Sequence, residues 1–141
     1  MKYIAFDIGD KRIGVAVSDV FETMALPLET YYRKNFEKDV KYLADLAKSK
    51  NADVIVCGLP LNFDGSYSEQ TLKTQSFVEK LKTVTDIKIV FQDERFTTLE
   101  ARRILLEADV KRADRKAVID KIAASYILET YMQKVKNGSV N

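Results

Sequence analysis

The sequence predicts a mixed α/β fold, in which one five-stranded sheet is covered by helices on both faces. Near its start, residues 2–19 read as two apolar strands joined by a tight turn, which predicts an antiparallel hairpin. Further along, short apolar runs alternate with segments of helical periodicity, and this order is typical of parallel β-α-β units. The chain has 141 residues, and we expect one domain over residues 1–141.

The first predicted strand is apolar on both faces, which places it in the middle of the sheet. Its two faces carry Ile4, Phe6 and Ile8 on one side, and Tyr3 and Ala5 on the other. Asp7 follows them, and burying an unpaired carboxylate there would cost several kcal/mol. Two explanations stay open: Asp7 accepts hydrogen bonds from turn amides, or it binds a metal ion.

The next two strands follow in sequence. Ile13, Val15 and Val17 mark the second strand, and Gly14 at its start lacks a side chain, so that backbone or a ligand could approach closely. Residues 26–32 predict a third strand. A proline at its second position favours an edge strand, because proline cannot donate a hydrogen bond to a neighbour. We therefore expect the first three strands to be antiparallel and the others parallel.

The middle of the chain alternates helix and strand. Asn35 can cap a helix over residues 36–49, where apolar residues recur at helical spacing. Residues 52–58 form a continuous apolar run, typical of a buried parallel strand. The loop that leaves this strand contains the turn-forming pair Asp64-Gly65.

The second half predicts three helices and one strand. Ser66 and Glu69 have the spacing of a capping box, which predicts a helix over residues 67–83. Residues 87–91 are a short apolar strand. The remaining predictions are a short helix over residues 97–107, a polar, basic loop over residues 108–116, a long helix over residues 117–135 and a frayed tail over residues 137–141.

Composition excludes several kinds of chemistry. Hydrophobic residues make up 46% and charged residues 31%, as in ordinary soluble proteins. The chain has no histidine and one cysteine, which excludes Ser-His-Asp triads, His-bound zinc and thiolate metal clusters. With 23 basic and 21 acidic residues, the formal charge is +2, so a nucleic acid would have to be bound by a local basic patch. Neither a signal peptide nor a membrane-spanning run is visible, and a cytosolic protein without membrane contact is expected.

Acidic residues are predicted to converge at one edge of the sheet. Asp7 ends the first strand, and Asp93 and Glu94 end the last, which runs parallel to it. Asp120 lies on the apolar stripe of the final helix and should face the sheet; an acid that favours the helix dipole is the alternative. Carboxylates without histidine suit Mg²⁺ or Mn²⁺. Two such ions would activate water and stabilise the leaving oxygen in phosphodiester cleavage.

Four segments carry a family resemblance: FDIGDKRIGVAVSD, CGLPLNFDGS, DERFTT and DKIAASYIL. They resemble, in order and over the whole chain, the motifs of the YqgF/RuvX family, which is similar in fold to ribonuclease H and Holliday junction resolvases. The resemblance implies a ribonuclease H-like nuclease that matures the 5′ end of pre-16S ribosomal RNA. It also implies that Asp7, Glu94 and Asp120 are the catalytic metal ligands, with Asp93 as a fourth. Asp93 and Glu94 alternate across the strand, and which of them faces the site stays open.

Basic and polar residues near these acids are candidates for contacts with substrate phosphates. They are Lys11, Arg12, Asn62, Ser66, Arg95, Arg112 and Arg115. Residues 102–121 contain seven basic and four acidic residues, a local charge of +3, which fits contact with a phosphate backbone. A solvated charged face is the alternative. Phe96 and Tyr67 could stack on unpaired bases, and core packing is the alternative for Phe96.

These observations together predict a metal-dependent nuclease that uses Mg²⁺ or Mn²⁺, with two ions expected, and acts on structured RNA such as a ribosomal RNA precursor. A Holliday junction resolvase that acts on branched DNA is one alternative. A non-catalytic RNA-binding assembly factor is another. The preference for RNA rests on the resemblance alone, and a monomer or weak homodimer is expected.

Overall fold

A computed structural model describes residues 1–95 and 112–138, with side chains from residue 115 onward in the second range. The predicted helix over residues 97–107 and Phe96 lie outside these residues. The helices and strands are β1 (Tyr3–Ile8), β2 (Arg12–Ser18), β3 (Ala25–Tyr32), α1 (Phe36–Ser49), β4 (Val54–Leu59), α2 (Glu69–Lys82), β5 (Lys88–Asp93) and α3 (Arg112–Lys136).

The five strands form one mixed sheet in the order β3-β2-β1-β4-β5. The pairs β1–β2 and β2–β3 are antiparallel, whereas β1–β4 and β4–β5 are parallel. This confirms the predicted α/β class and places β1 at the centre. Pro27 lies in β3, an edge strand, as its missing N–H requires.

Both faces of β1 are buried, and each face has its own helices. Ile4 and Phe6 belong to a core that includes Leu43 of α1 and Phe77 of α2. On the other face, Tyr3 and Ala5 pack in a second core together with four residues of α3, which are Ala124, Ile127, Leu128 and Tyr131. Side chains alternate along a strand, so Asp7 lies on the α3 face.

Helix α1 has the bounds that the sequence predicts. The side chain of Asn35 accepts a hydrogen bond from the backbone N–H of Lys38 at 2.9 Å, which satisfies a donor in the first turn. Helix α2 differs, because its N-cap is Ser68 rather than Ser66. The hydroxyl of Thr71 accepts from the backbone N–H of Ser68 at 2.9 Å and completes the capping box.

Helix α3 is described from Arg112, five residues before its predicted start. The predicted loop over residues 108–116 is therefore helical from residue 112 onward. Residues 112–116 are Arg, Ala, Asp, Arg and Lys, and they include no Gly or Pro to end a helix. Within the described ranges, no helix is both long and apolar enough to span a bilayer.

Candidate active site

Asp7 lies at the carboxyl end of the central strand, between two glycines. Its partner on β2 is Gly14. On the other side, Phe6 pairs with Cys57 of β4, so Gly58 follows at the level of Asp7. The three strands therefore carry a single side chain at this level of the sheet, and it is the carboxylate of Asp7.

Both glycines leave room for groups that the site needs. A Cβ atom built at Gly14 would overlap the backbone oxygen of Asp120, so this glycine lets α3 lie directly on β2. A Cβ atom at Gly58 would overlap Oε2 of Glu94 and approach the Cδ1 atom of Ile127 at 2.6 Å. Close approach at Gly14 is predicted from the sequence. The sequence analysis does not predict a close approach at Gly58. A glycine at the end of an apolar strand is nevertheless the same kind of signal as Gly14.

Asp7 and Glu94 are both partly buried, and Oε2 of Glu94 lies over Gly58, where its carboxyl faces that of Asp7. Burial removes water from both groups and raises the pKa of each carboxyl above its ordinary value. The charge of Asp7 raises the pKa of Glu94 further, and the charge of Asp120 does the same to Asp7. Two acids in this situation favour either a shared proton or a bound cation.

Asp120 is close to this pair and is also held by Arg12. The Nε atom of Arg12 donates to Oδ2 of Asp120 at 2.6 Å, and the two side chains are 24% and 22% exposed. Asp120 lies more than two turns inside α3, whereas the dipole of a helix acts mainly on its first turn. A role as a helix-start acid is therefore not what the structure indicates. Arg12 lies at the site, but its guanidinium is already ion-paired.

The donor set fits a hard divalent cation. Mg²⁺ keeps several waters and is typically bound by one or two carboxylates together with substrate phosphates, and Asp7 and Glu94 provide such a pair. Among residues 1–95 and 112–138, no three acidic or cysteine side chains are arranged to hold an ion by themselves. The geometry thus offers a two-carboxylate site with Asp120 beside it, rather than a closed protein cage.

Asp93 and Glu94 point to different partners. The backbone N–H of Arg95 donates to Oδ1 of Asp93 at 3.0 Å, and Nε of Arg95 donates to Oδ2 at 2.8 Å. Although partial burial opposes ionisation, these hydrogen bonds hold the pKa of Asp93 below its ordinary value. Of the two neighbours, Glu94 is the one that contacts Asp7.

Four other predicted contact residues lie in the loop before α2, in the turn before β2 and on α3. Asn62 and Ser66 lie in the loop before α2, where Nδ2 of Asn62 donates to Oγ of Ser66 at 2.9 Å, and Oγ of Ser66 donates to Asp64. Lys11 is exposed in the turn before β2. Arg115 is partly buried on α3.

Arg112 and Tyr67 are two further residues that the sequence predicts to contact the substrate. Arg112 is described by its backbone alone, so the arrangement of its side chain stays outside the described residues. Tyr67 is 58% exposed beside the loop before α2. Its exposure fits the prediction that it could stack on unpaired bases, which stays a prediction.

The mixed sheet, with partly buried carboxylates at the end of β1 and just beyond β5, defines the class: a ribonuclease H-like nuclease. RuvC of Thermus thermophilus bound to a Holliday junction substrate has a similar fold, with a TM-score of 0.62 and 11% identity over 99% of this chain and 97% of that one. The fowlpox virus resolvase in complex with Holliday junction DNA gives 0.56 and 17%, over 96% and 99% of the two chains. At these identities the similarity concerns the fold.

The family follows from sequence. A family model described as "RuvX: Holliday junction resolvase" matches residues 1–134, and the chain belongs to this family. A protein of Caldanaerobacter subterraneus subsp. tengcongensis, named "Putative pre-16S rRNA nuclease", is 46% identical over 139 residues, which are 98% of this chain and 100% of the relative. The chain is thus a hydrolase of nucleic-acid phosphodiester bonds, in a fold class that generally uses divalent metal ions.

Proposed function

We propose that this protein cleaves precursor 16S ribosomal RNA near its 5′ end, in a reaction that depends on Mg²⁺ or Mn²⁺. The observation that carries the proposal is the meeting of two partly buried carboxyls, Asp7 and Glu94, at the level of Gly58. A protein that only binds RNA gains nothing from bringing two like charges together where water is partly excluded, because their repulsion and desolvation lower its stability. The pair therefore favours an enzyme over a non-catalytic assembly factor. The RNA substrate is supported by the name of the relative at 46% identity.

In this proposal, Asp7 and Glu94 hold the metal, with Asp120 as a third ligand. When bound, two ions would supply activation of the attacking water and stabilisation of the leaving oxygen. Arg12 holds the carboxylate of Asp120 in place through its 2.6 Å contact. Lys11, exposed in the adjacent turn, provides a cation for a neighbouring phosphate.

A second candidate substrate is branched DNA. It is favoured by the description of the matching family model and by the Holliday junction complexes among the proteins of similar fold. The carboxylate chemistry is the same for both substrates, since neither metal-assisted attack nor phosphate contact depends on the 2′-hydroxyl. Only the choice of nucleic acid separates the two candidates.

One cleavage assay tests both candidates. The full chain is offered a 16S precursor with its 5′ extension and a four-way DNA junction, with Mg²⁺, with Mn²⁺ or with excess EDTA. We expect cleavage of the RNA in either metal, none in EDTA, and little effect of a zinc-selective chelator. Preferential cutting of the junction would favour the DNA candidate instead.

The matched variants are Asp7→Asn and, as a control, Asp45→Asn. Asp45 is an exposed acid of α1 that is ion-paired to Lys41. Asp7→Asn should lower the cleavage rate by at least about 100-fold, because several kcal/mol of transition-state stabilisation depend on the metal. Asp45→Asn should cleave normally. Full cleavage in EDTA, or by the Asp7→Asn protein, would refute the proposed function.

A further inference from the structure

At the end of β5, hydrogen bonds join two residues that flank a third. The flanking residues are Asp93 and Arg95, and the residue between them is Glu94. The outer two are joined by three contacts: the backbone N–H of Arg95 to Oδ1 at 3.0 Å, Nε to Oδ2 at 2.8 Å, and Nη2 to Oδ2 at 2.5 Å. Glu94 lies between them and just beyond the strand, which ends at Asp93. Its backbone keeps one hydrogen bond to β4, from N to the oxygen of Leu59, at a long 3.3 Å.

Arg95 also ties this unit to the neighbouring loop. Its Nη1 atom donates to the backbone oxygen of Phe63 at 3.0 Å. The guanidinium is therefore held on two sides by protein acceptors, through Nε and Nη2 to Asp93 and through Nη1 to the loop before α2. A forked guanidinium fixed in this way is more rigid than one that projects from the surface, because its planar geometry matches each acceptor.

We propose that Asp93 and Arg95 are a positioning pair that directs Glu94 toward Asp7. With the flanking side chains bonded to each other, the side chain of Glu94 is directed to the opposite side, over Gly58 and against Asp7. The inference rests on the proposed function, because it assigns Glu94 to the metal. It replaces the roles that the sequence suggests, in which Asp93 ligates metal and Arg95 contacts phosphate.

The experiment measures Mn²⁺ binding to the full chain without nucleic acid, by titration calorimetry, for Arg95→Ala, Asp93→Asn and the double variant. Residues that orient a metal ligand typically change metal affinity by about 10- to 100-fold. We expect each single variant to weaken Mn²⁺ binding by about tenfold or more. The double variant should be no weaker than either single one, because the two residues act as one unit.

Two further variants separate geometry from charge. Arg95→Lys keeps the positive charge but loses the fork, so it should bind Mn²⁺ as weakly as Arg95→Ala. Lys73→Ala, an exposed cation of α2 near Asp10 and Glu69, should bind Mn²⁺ as the unaltered protein does. Circular dichroism and melting curves check that each variant is folded, and Arg95→Lys with Asp93→Asn carries the test if Arg95→Ala does not fold.

Other outcomes would overturn the positioning pair. Normal Mn²⁺ affinity in Arg95→Ala, together with a shallower salt dependence of RNA binding, would make Arg95 a phosphate contact. Additive losses in the double variant would make Asp93 an independent ligand. Asp7→Asn distinguishes these failures from failure of the proposed function: if Asp7→Asn binds Mn²⁺ normally, the metal site itself is wrongly assigned.

Discussion

Two carboxylate sites near the end of β1, one buried and one partly buried, differ in how their charge is compensated. On the face of α1 and α2, Asp39 is 1% exposed and accepts hydrogen bonds from Arg33 Nε at 2.8 Å, the Tyr31 hydroxyl at 2.9 Å and the Lys34 backbone N–H at 2.9 Å. Although burial opposes ionisation, these donors hold the pKa of Asp39 below its ordinary value. On the face of α3, Asp7 meets another carboxyl, and its pKa is raised.

The same functional group therefore serves two purposes on the two faces. Asp39 is surrounded by donors and links the first turn of α1 to Arg33, which also donates to the oxygen of Gly9 at 2.8 Å. Its charge contributes to the fold. Asp7 and Glu94 repel each other when both are ionised, so their ionised form is unfavourable until a cation is bound. A carboxyl pair with raised pKa values at the end of a sheet is thus a mark of a functional site.

The largest effect on stability is expected for Asp39→Ala. Removing one partner of a buried ion pair leaves the other charged and uncompensated, which costs about 3–5 kcal/mol of unfolding free energy. Asp45→Ala in the same helix is the control, because its pair with Lys41 is exposed and worth less than about 0.5 kcal/mol. Urea unfolding measures both. If both variants lost the same unfolding free energy, the buried hydrogen bonds of Asp39 would stabilise the fold no more than the exposed ion pair of Asp45.

The pH dependence should have opposite signs on the two faces. Folding raises the pKa of Asp7 to about 6 and that of Glu94 to about 9. Their contribution to stability is therefore greatest below about pH 4 and falls as the pH rises, for Asp7 up to about pH 6 and for Glu94 up to about pH 9. We expect a loss on the order of 2 kcal/mol in EDTA, which Mg²⁺ should reverse. The lowered pKa of Asp39 instead removes stability only as pH falls below about 4.

Unfolding of the Asp7→Asn protein over the same range isolates the first of these effects. The loss of stability with rising pH should shrink in this variant, because one of the two repelling charges is gone. An unchanged slope of unfolding free energy between about pH 4 and 9 would show that other groups cause the loss.

Asp7→Asn should also differ from Asp39→Ala at a single pH. The substitution keeps the shape of the side chain and removes a charge that faces Glu94. In EDTA at pH 8, the unfolding free energy should stay equal or rise by up to about 1 kcal/mol. Thermal melts measure this directly. A marked loss of stability would mean that Asp7 is a structural carboxyl like Asp39.

Asp120→Asn should have the smallest effect on stability, because Asp120 combines features of both sites. Its pair with Arg12 is partly exposed, so its loss should cost a few tenths to about 1 kcal/mol. Cleavage in Mn²⁺ should nevertheless fall by orders of magnitude if Asp120 ligates the metal. A slightly less stable protein with normal cleavage would restrict Asp120 to holding Arg12.

The α/β class, the strand directions and the central position of β1 could be predicted from the sequence, because apolar periodicity and the length of the connections indicate them. Asp7 was predictable as well, since a charge at the end of a strand with two apolar faces is a local signal. The partners of the long charged side chains could not be predicted in this way. Arg12 and Asp120 are 108 residues apart, and the packing of α3 on β2 at Gly14 brings them together.

Arg95 illustrates the same limit at short range. Its neighbours in sequence do not reveal that its guanidinium turns back to Asp93 and reaches the loop at Phe63. The sequence favours Ser66 as the N-cap of α2, two residues before the observed Ser68, for a related reason. Ser66 and Ser68 have the same chemistry, and the loop geometry that ties Ser66 to Asp64 decides between them.

Gly14 and Gly58 offer a way to judge diverged members of this family from sequence alone. The smallest possible substitution at either position, alanine, already overlaps the backbone of α3 or the carboxylate of Glu94. A descendant that kept all three acids but lost Gly14 would have to displace the backbone of α3 at Asp120, and one that lost Gly58 would have to turn the carboxylate of Glu94 away from its present place. In genome surveys, glycine at these two positions is therefore a useful mark of retained cutting activity beside the carboxylates.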